Sequence, residues 1–477
     1  MRVVTAMLVA LGCFGQGVEN RPTRSTRDES NPIWVSPAAT FAKPPSSPSA
    51  GAVYVFSDAL SQGNCAGGGV AMATCQWNGS AWRPVARIGV PANVSNTVVL
   101  FGASITGQNT PNWWSNSTVF GLNADGYWNW ANAMMGQPFT VVNNGGHSGM
   151  GTTGLLGFAV TDVLAFSPGW VVMGDAPIND LKSTTPVFSA ATIIANLTSL
   201  YNTFNAAGIR TIMLTIPPFA GMGNDPRYFE INHWIKTWGA THPNFCVVDS
   251  AAIEIDPVNG GPLPNMTMDG VHLFTLGAFS IGKAIANTLT AMALVPPPAY
   301  TIIYNNDPTS LVTNGMQTGM GGTVGRSASG LIASSWTLTG YAGATCVGSK
   351  KPRADGMGEI QSVTMTGTSA ASYCELKQTI SGWSGTDTLQ MQAEIMPGST
   401  LGKMITGNLV FHAGSDRVFT TLWQDNPSPV LSVTTPYLLL QTAQQAVWNG
   451  TTATDVSVWM YGTSGTIDIG RVEVHKL

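Results

Sequence analysis

Between Thr97 and Val295 short apolar runs alternate with longer stretches in which apolar residues recur every three or four positions. The runs are 97–103 (TVVLFGA), 139–144 (FTVVNN), 169–174 (GWVVMG), 209–216 (IRTIMLTI) and 244–249 (NFCVVD). Each is brief and rich in Val or Ile, the pattern of a strand covered on both faces. The clearest helical stretch aligns Ile193, Ile194, Leu197, Leu200, Tyr201 and Phe204 and stops at Gly208, a residue suited to a left-handed C-terminal cap. Strands alternating with helices predict an α/β domain over 95–296, a three-layer αβα sandwich around a parallel sheet. In such a sheet the site lies at the carboxyl ends of the strands.

The flanks follow other rules. Three prolines, Pro296 to Pro298, close the α/β pattern. Beyond them 361–368 (QSVTMTGT), 388–395 (TLQMQAEI), 456–461 (VSVWMY) and 467–475 (IDIGRVEVH) largely alternate apolar and polar residues, which predicts an all-β sandwich of jelly-roll type over 299–477. Its architecture loosely resembles the carbohydrate-binding sandwiches appended to secreted hydrolases and phage tail proteins. Upstream, 51–90 reads as a small β module with Asn78-Gly79 as a hairpin turn. Residues 1–50 read as a leader and a Pro/Ser/Ala-rich linker. The apolar run 3–15 behind Arg2 is too short to span a bilayer and has the size of a secretory signal core; a tail that docks on a partner chain is the alternative.

Composition narrows the picture. Charged residues make up 10% of the 477, against about 25% in an ordinary soluble chain. With 44% apolar residues, 15 Trp and 17 Phe, packed cores are well supplied and charge-rich disorder is excluded. A net charge of -4 gives no reason to expect nucleic acid or an anionic membrane as partner. The six cysteines fit an oxidising location: Cys65 with Cys75 and Cys346 with Cys374 are expected as two local bridges, and Cys246 as a buried free thiol. No C-x-x-C or zinc-ligand spacing occurs, and no metal or cofactor is expected.

The candidate chemistry sits at the strand ends. The first strand runs into Gly102-Ala103-Ser104, the second into a glycine-rich loop from Asn144 to Gly151, the third into Gly174-Asp175-Ala176-Pro177-Ile178-Asn179-Asp180, and after the last comes Asp269-Gly270-Val271-His272. A serine hydroxyl is a weak nucleophile until an imidazole takes its proton, and the imidazole needs a carboxylate to fix its tautomer. Ser104 can attack, His272 can act as base and Asp269 can orient it. The N–H groups of Ser104 and Gly149 and the amide of Asn179 are candidates for an oxyanion hole.

These four blocks, in this order, resemble the SGNH hydrolases, also called GDSL-like esterases, over about 200 residues. The resemblance implies a cofactor-free serine esterase, with removal of O-acetyl groups from a polysaccharide as the favoured activity. Two departures stand out: Ala103 replaces the Asp common before the nucleophile, and the block ending in Asn179 is longer than the usual G-x-N-D. Asp175 and Asp180 read as helix caps, and Asp249 is a rival triad carboxylate. His147 lines the substrate pocket or is a plain polar loop residue. Trp113 and Trp114, on a polar loop, are candidate substrate contacts, whereas Trp128 and Trp130 read as core. A surface of Thr, Asn, Ser and Gly suits an acylated glycan, or burial in a homo-oligomer or virion assembly, with an extracellular or virion-surface location. Two other readings stay open, a non-catalytic glycan-binding or phage tail structural protein on the same fold, and a lipase or thioesterase acting on longer acyl chains.

Overall fold

A computed structural model describes residues 95–110, 125–291, 305–397 and 438–476, apart from 240, 241, 243, 306, 354, 355 and 443–452. Within 53–84, 122–123, 408–423 and 445–446 it describes strand backbone alone. The leader, the linker, the Asn78-Gly79 turn, Trp113, Trp114 and the proline boundary at 296–298 lie outside the described residues. Internal contacts divide the chain into two compact units, residues 1–95 with 234–247 and residues 96–233 with 248–477.

In the first unit, strands β1 (Val53–Ser61), β2 (Asn64–Gly67), β3 (Ala71–Trp77) and β4 (Trp82–Pro84) form an antiparallel sheet in the order β2-β1-β3-β4. The side chains of Cys65 and Cys75, and with them the bridge expected between the two, lie outside the described residues. Cys246, expected as a buried free thiol, is disulfide-bonded. An apolar strand environment looks the same for a thiol and a half-cystine, which is why sequence pattern misread it.

The α/β domain carries β5 (Thr97–Gly102), α1 (Ser104–Gly107), β6 (Leu122–Asn123), α2 (Tyr127–Met134), β7 (Thr140–Gly146), α3 (Thr152–Leu156), β8 (Trp170–Met173), α4 (Ala176–Lys182), α5 (Ala190–Ala206), β9 (Arg210–Leu214), α6 (Pro226–Gly239), β10 (Phe245–Val248), α7 (Ser250–Glu254) and α8 (Thr275–Ala291). The central sheet has the order β10-β9-β8-β5-β7, and the β5/β7, β5/β8 and β8/β9 ladders are parallel. All five predicted strands are present, each shortened or shifted by at most two residues at an end.

Helices cover both faces, as strands buried all round require. Val98 and Leu100 point to one side of β5 and Val99 and Phe101 to the other, and Trp170 shares the side of its ladder partner Val98. Phe101 meets Phe204 of α5 edge-on at 5.8 Å between ring centroids. On the opposite face Trp170 meets Phe139, Phe139 meets Trp128 of α2, and Trp130 of α2 meets Phe279 of α8. Trp128 and Trp130 are thus core residues. Helix α5 starts at a Ser189 cap that accepts the Thr192 N–H and ends before Gly208, whose φ of 75° belongs to the left-handed region. With strand order reversing around β5, the carboxyl ends of β5, β7 and β8 converge where ligands bind in such sheets.

The C-terminal region is a sandwich of two largely antiparallel sheets, of six and seven strands, with successive strands passing repeatedly from one sheet to the other. The strands Thr345–Pro352 and Tyr373–Ser381 belong to different sheets, and a Cys346–Cys374 disulfide joins them across the buried core. This sandwich touches the α/β domain: the Gln137 amide donates to the Leu439 carbonyl at 3.0 Å, and β6 pairs with Leu422–Trp423.

Candidate active site

Ser104 is the first residue of the one-turn helix α1, directly beyond β5. The strand-to-helix break at Ala103 leaves the first N–H groups of α1 without partners inside the helix. His272 sits on the loop before α8. Its Nε2 lies 3.0 Å from Ser104 Oγ and its Nδ1 2.6 Å from Asp269 Oδ2. Asp269 Oδ1 also accepts the backbone N–H groups of Val271 and His272, at 3.0 and 2.8 Å. Burial opposes ionisation of Asp269, but the hydrogen bonds from the His272 ring and from the two N–H groups outweigh it and hold the carboxyl below its ordinary range. An ionised Asp269 selects the tautomer with a proton on Nδ1, leaving Nε2 to accept the Ser104 proton.

Asp249, the rival carboxylate, is occupied elsewhere. Its Oδ1 accepts the Thr215 hydroxyl at 2.9 Å and the Ala252 N–H at 3.2 Å, as the cap of α7.

The glycine-rich loop runs beside the nucleophile. The His147 N–H donates to the Gly102 carbonyl at 2.9 Å, and the Met150 N–H closes a turn onto the His147 carbonyl. Gly149 is the third residue of that turn with φ of 75°, the position where a type II turn demands glycine, and a Cβ there would meet nothing within 4 Å. The Asn179 amide donates to the Met150 carbonyl at 3.0 Å, so Asn179 is tied to the loop that carries Gly149. One of its two amide protons is used there.

The His147 ring stacks on Phe158 at 4.0 Å, and its Nε2 lies 2.5 Å from Asp162 Oδ2 on the π-type turn Ala159–Val163, contacts that tie the glycine loop to that turn. Asp180 acts as a cap, accepting the Thr152 N–H at the start of α3 at 2.8 Å; Asp175, at the N-terminal cap of α4, makes no side-chain cap bond.

Two residues that the sequence pattern did not assign to the site, Gln108 unnoticed and Asp175 read as a helix cap, hold the parts together. Gln108, fully buried after α1, donates to the Leu273 carbonyl and accepts the Leu273 N–H, both at 3.1 Å, which locks the residue next to His272 onto the nucleophile segment. Asp175 reaches the backbone on both sides of Ser104.

No family model matches the chain, and no curated protein matches it. Among solved structures it is similar to a lipolytic protein of the G-D-S-L family from Desulfitobacterium hafniense (19% identity, 41% of this chain and all of that one, TM-score 0.33). It is also similar to the acetyl xylan esterase AlAXEase (20% identity, 40% and 99% of the two chains, TM-score 0.33) and to an acetylxylan esterase from Geobacillus stearothermophilus (19% identity, 40% and 93%, TM-score 0.32). Such distant likeness decides nothing about substrate.

Proposed function

We propose that this chain is a serine esterase whose nucleophile is Ser104, with O-acetyl groups on a polysaccharide as its substrate. The observation that carries the reading is the continuous chain of contacts from Ser104 Oγ through the His272 ring to Asp269. In the first half-reaction Ser104 Oγ attacks the ester carbonyl while His272 Nε2 takes its proton. The imidazolium that forms is stabilised by Asp269. The oxyanion is received by the N–H groups of Ser104 and Gly149 and by the second amide proton of Asn179. His272 then returns its proton to the leaving sugar hydroxyl. In the second half-reaction His272 activates a water that releases acetate and regenerates Ser104.

A chain with 10% charged residues presents neutral hydrogen-bonding groups, which suit a glycan better than a charged polymer. The Cys346–Cys374 bridge and the bonded Cys246 suit an oxidising compartment, consistent with work outside the cell or on a virion surface.

The test is hydrolysis of p-nitrophenyl acetate by the wild type and by Ser104→Ala. The expected result is a loss of at least about 10³-fold in kcat for the variant; equal rates would remove the serine mechanism. A matched octanoyl ester is expected to react more slowly than the acetyl ester, and a preference for the long chain would replace the glycan reading with a lipase or thioesterase.

A further inference from the structure

The resemblance places an Asp immediately before the nucleophile, and this chain has Ala103 there. A carboxylate nevertheless reaches the same turn from another strand. Asp175, two residues beyond β8 and 4% exposed, accepts the Ala103 N–H at 3.0 Å through Oδ1 and the Thr106 N–H at 3.1 Å through Oδ2. Its Oδ1 also accepts the Thr106 hydroxyl at 2.7 Å.

These contacts bracket Ser104. Ala103 precedes it and Thr106 follows two residues later, so one carboxylate holds the chain on both sides of the nucleophile. It takes the N–H groups at 103 and 106 and leaves the Ser104 N–H for an oxyanion. Position 102 must be glycine for this to work, since a Cβ there would run into Asp175 Oδ1 and Thr106 Oγ1. Behind Thr106 the Tyr127 hydroxyl lies 3.3 Å from Oγ1, and burial, then the Asp175 charge, pushes that phenol's ionisation upward, so it stays neutral. Asp175 lies at a helix cap position without making a cap bond, so its side chain is committed to the nucleophile turn.

We propose that Asp175 is the positioning residue of the nucleophile turn, holding Ser104 Oγ in line with His272 and the Ser104 N–H toward the oxyanion. This rests on the serine mechanism proposed above. Asparagine at 175 keeps the shape but sets an amide donor against one of the two N–H groups, so the turn loses part of its hold. A misplacement of this kind costs rate more than binding.

The experiment compares full-length wild type, Asp175→Asn and Thr106→Val on p-nitrophenyl acetate and titrates active sites with a fluorophosphonate. For Asp175→Asn the expected result is a fall in kcat of about 10- to 100-fold. KM should stay within about threefold, the titratable fraction should match wild type, and phosphonylation should slow in parallel with kcat. Thr106→Val, which removes only the hydroxyl donor, should show a smaller effect of the same kind. A wild-type kcat in Asp175→Asn, or a loss accounted for wholly by a smaller titratable fraction, overturns the role of Asp175 while leaving the serine mechanism standing. A wild type that takes up no phosphonate at Ser104 removes the mechanism itself, and the positioning role with it.

Discussion

At the scale of single residues, the candidate site depends on buried polar groups that come from far along the chain. Gln108 is 165 residues from Leu273, and its two hydrogen bonds satisfy both backbone groups of the residue beside His272. Gln108→Leu would strand those groups in the interior, at about 1 to 3 kcal/mol for each one left unpaired. The expected outcome is a lowered melting temperature together with a fall in kcat of about 10-fold or more, measured by thermal unfolding and ester hydrolysis. Unchanged values for both would show that the loop is held by something else. Glu254 behaves differently. It is completely buried, neither carboxyl oxygen has a partner among the described residues, and burial pushes its pKa up to about 8. A carboxyl whose folded pKa is raised favours the folded state most below its ordinary value near 4.5, and that advantage is lost as pH rises toward 8. Wild-type stability should therefore decline between about pH 4.5 and 8. Glu254→Gln should flatten that decline and be the more stable protein at pH 8, by an amount of order a few kcal/mol. Parallel stability curves for the two proteins across that range would contradict this.

At the scale of elements, what could be read from sequence divides along local and non-local lines. The five central strands were legible because strands buried on both faces leave continuous apolar runs, and α5 because its stripe and its Gly208 stop are local signals. The grouping of Ser104, His272 and Asp269 was legible because strand ends in a parallel sheet converge. Asp175 was not. Its position at the start of α4 is that of a cap, and nothing in nearby spacing shows that its carboxylate crosses to a turn 72 residues earlier. His147 was half-legible, since the loop was evident but the stacking on Phe158 and the pairing with Asp162 depend on a short π-type turn with no clear periodic signature. In the sandwich, alternation located the strands, while the Cys346–Cys374 bridge ties two sheets across a 28-residue separation. Replacing both cysteines by serine should destabilise the sandwich by about 2 to 4 kcal/mol, read as a lower unfolding midpoint in denaturant. Ester hydrolysis at moderate temperature should persist.

At the scale of the whole molecule, the low charge noted in the sequence coexists with a few concentrated polar networks. Several buried acidic groups organise their surroundings: Asp175 under the nucleophile turn, Asp180 on the first N–H of α3, and Glu394 between Arg353 and Arg471 in the sandwich. That scarcity of charge is one support for the neutral substrate proposed above. The proposed chemistry turns on Ser104 as an activated nucleophile. The most direct measurement is the reaction of the full-length protein with a fluorophosphonate, followed by intact mass and peptide mapping. The account predicts one adduct per chain, located on Ser104, absent in Ser104→Ala and formed at least about 100-fold more slowly in His272→Ala. No adduct on the wild type, or equal labelling of Ser104→Ala, would contradict it.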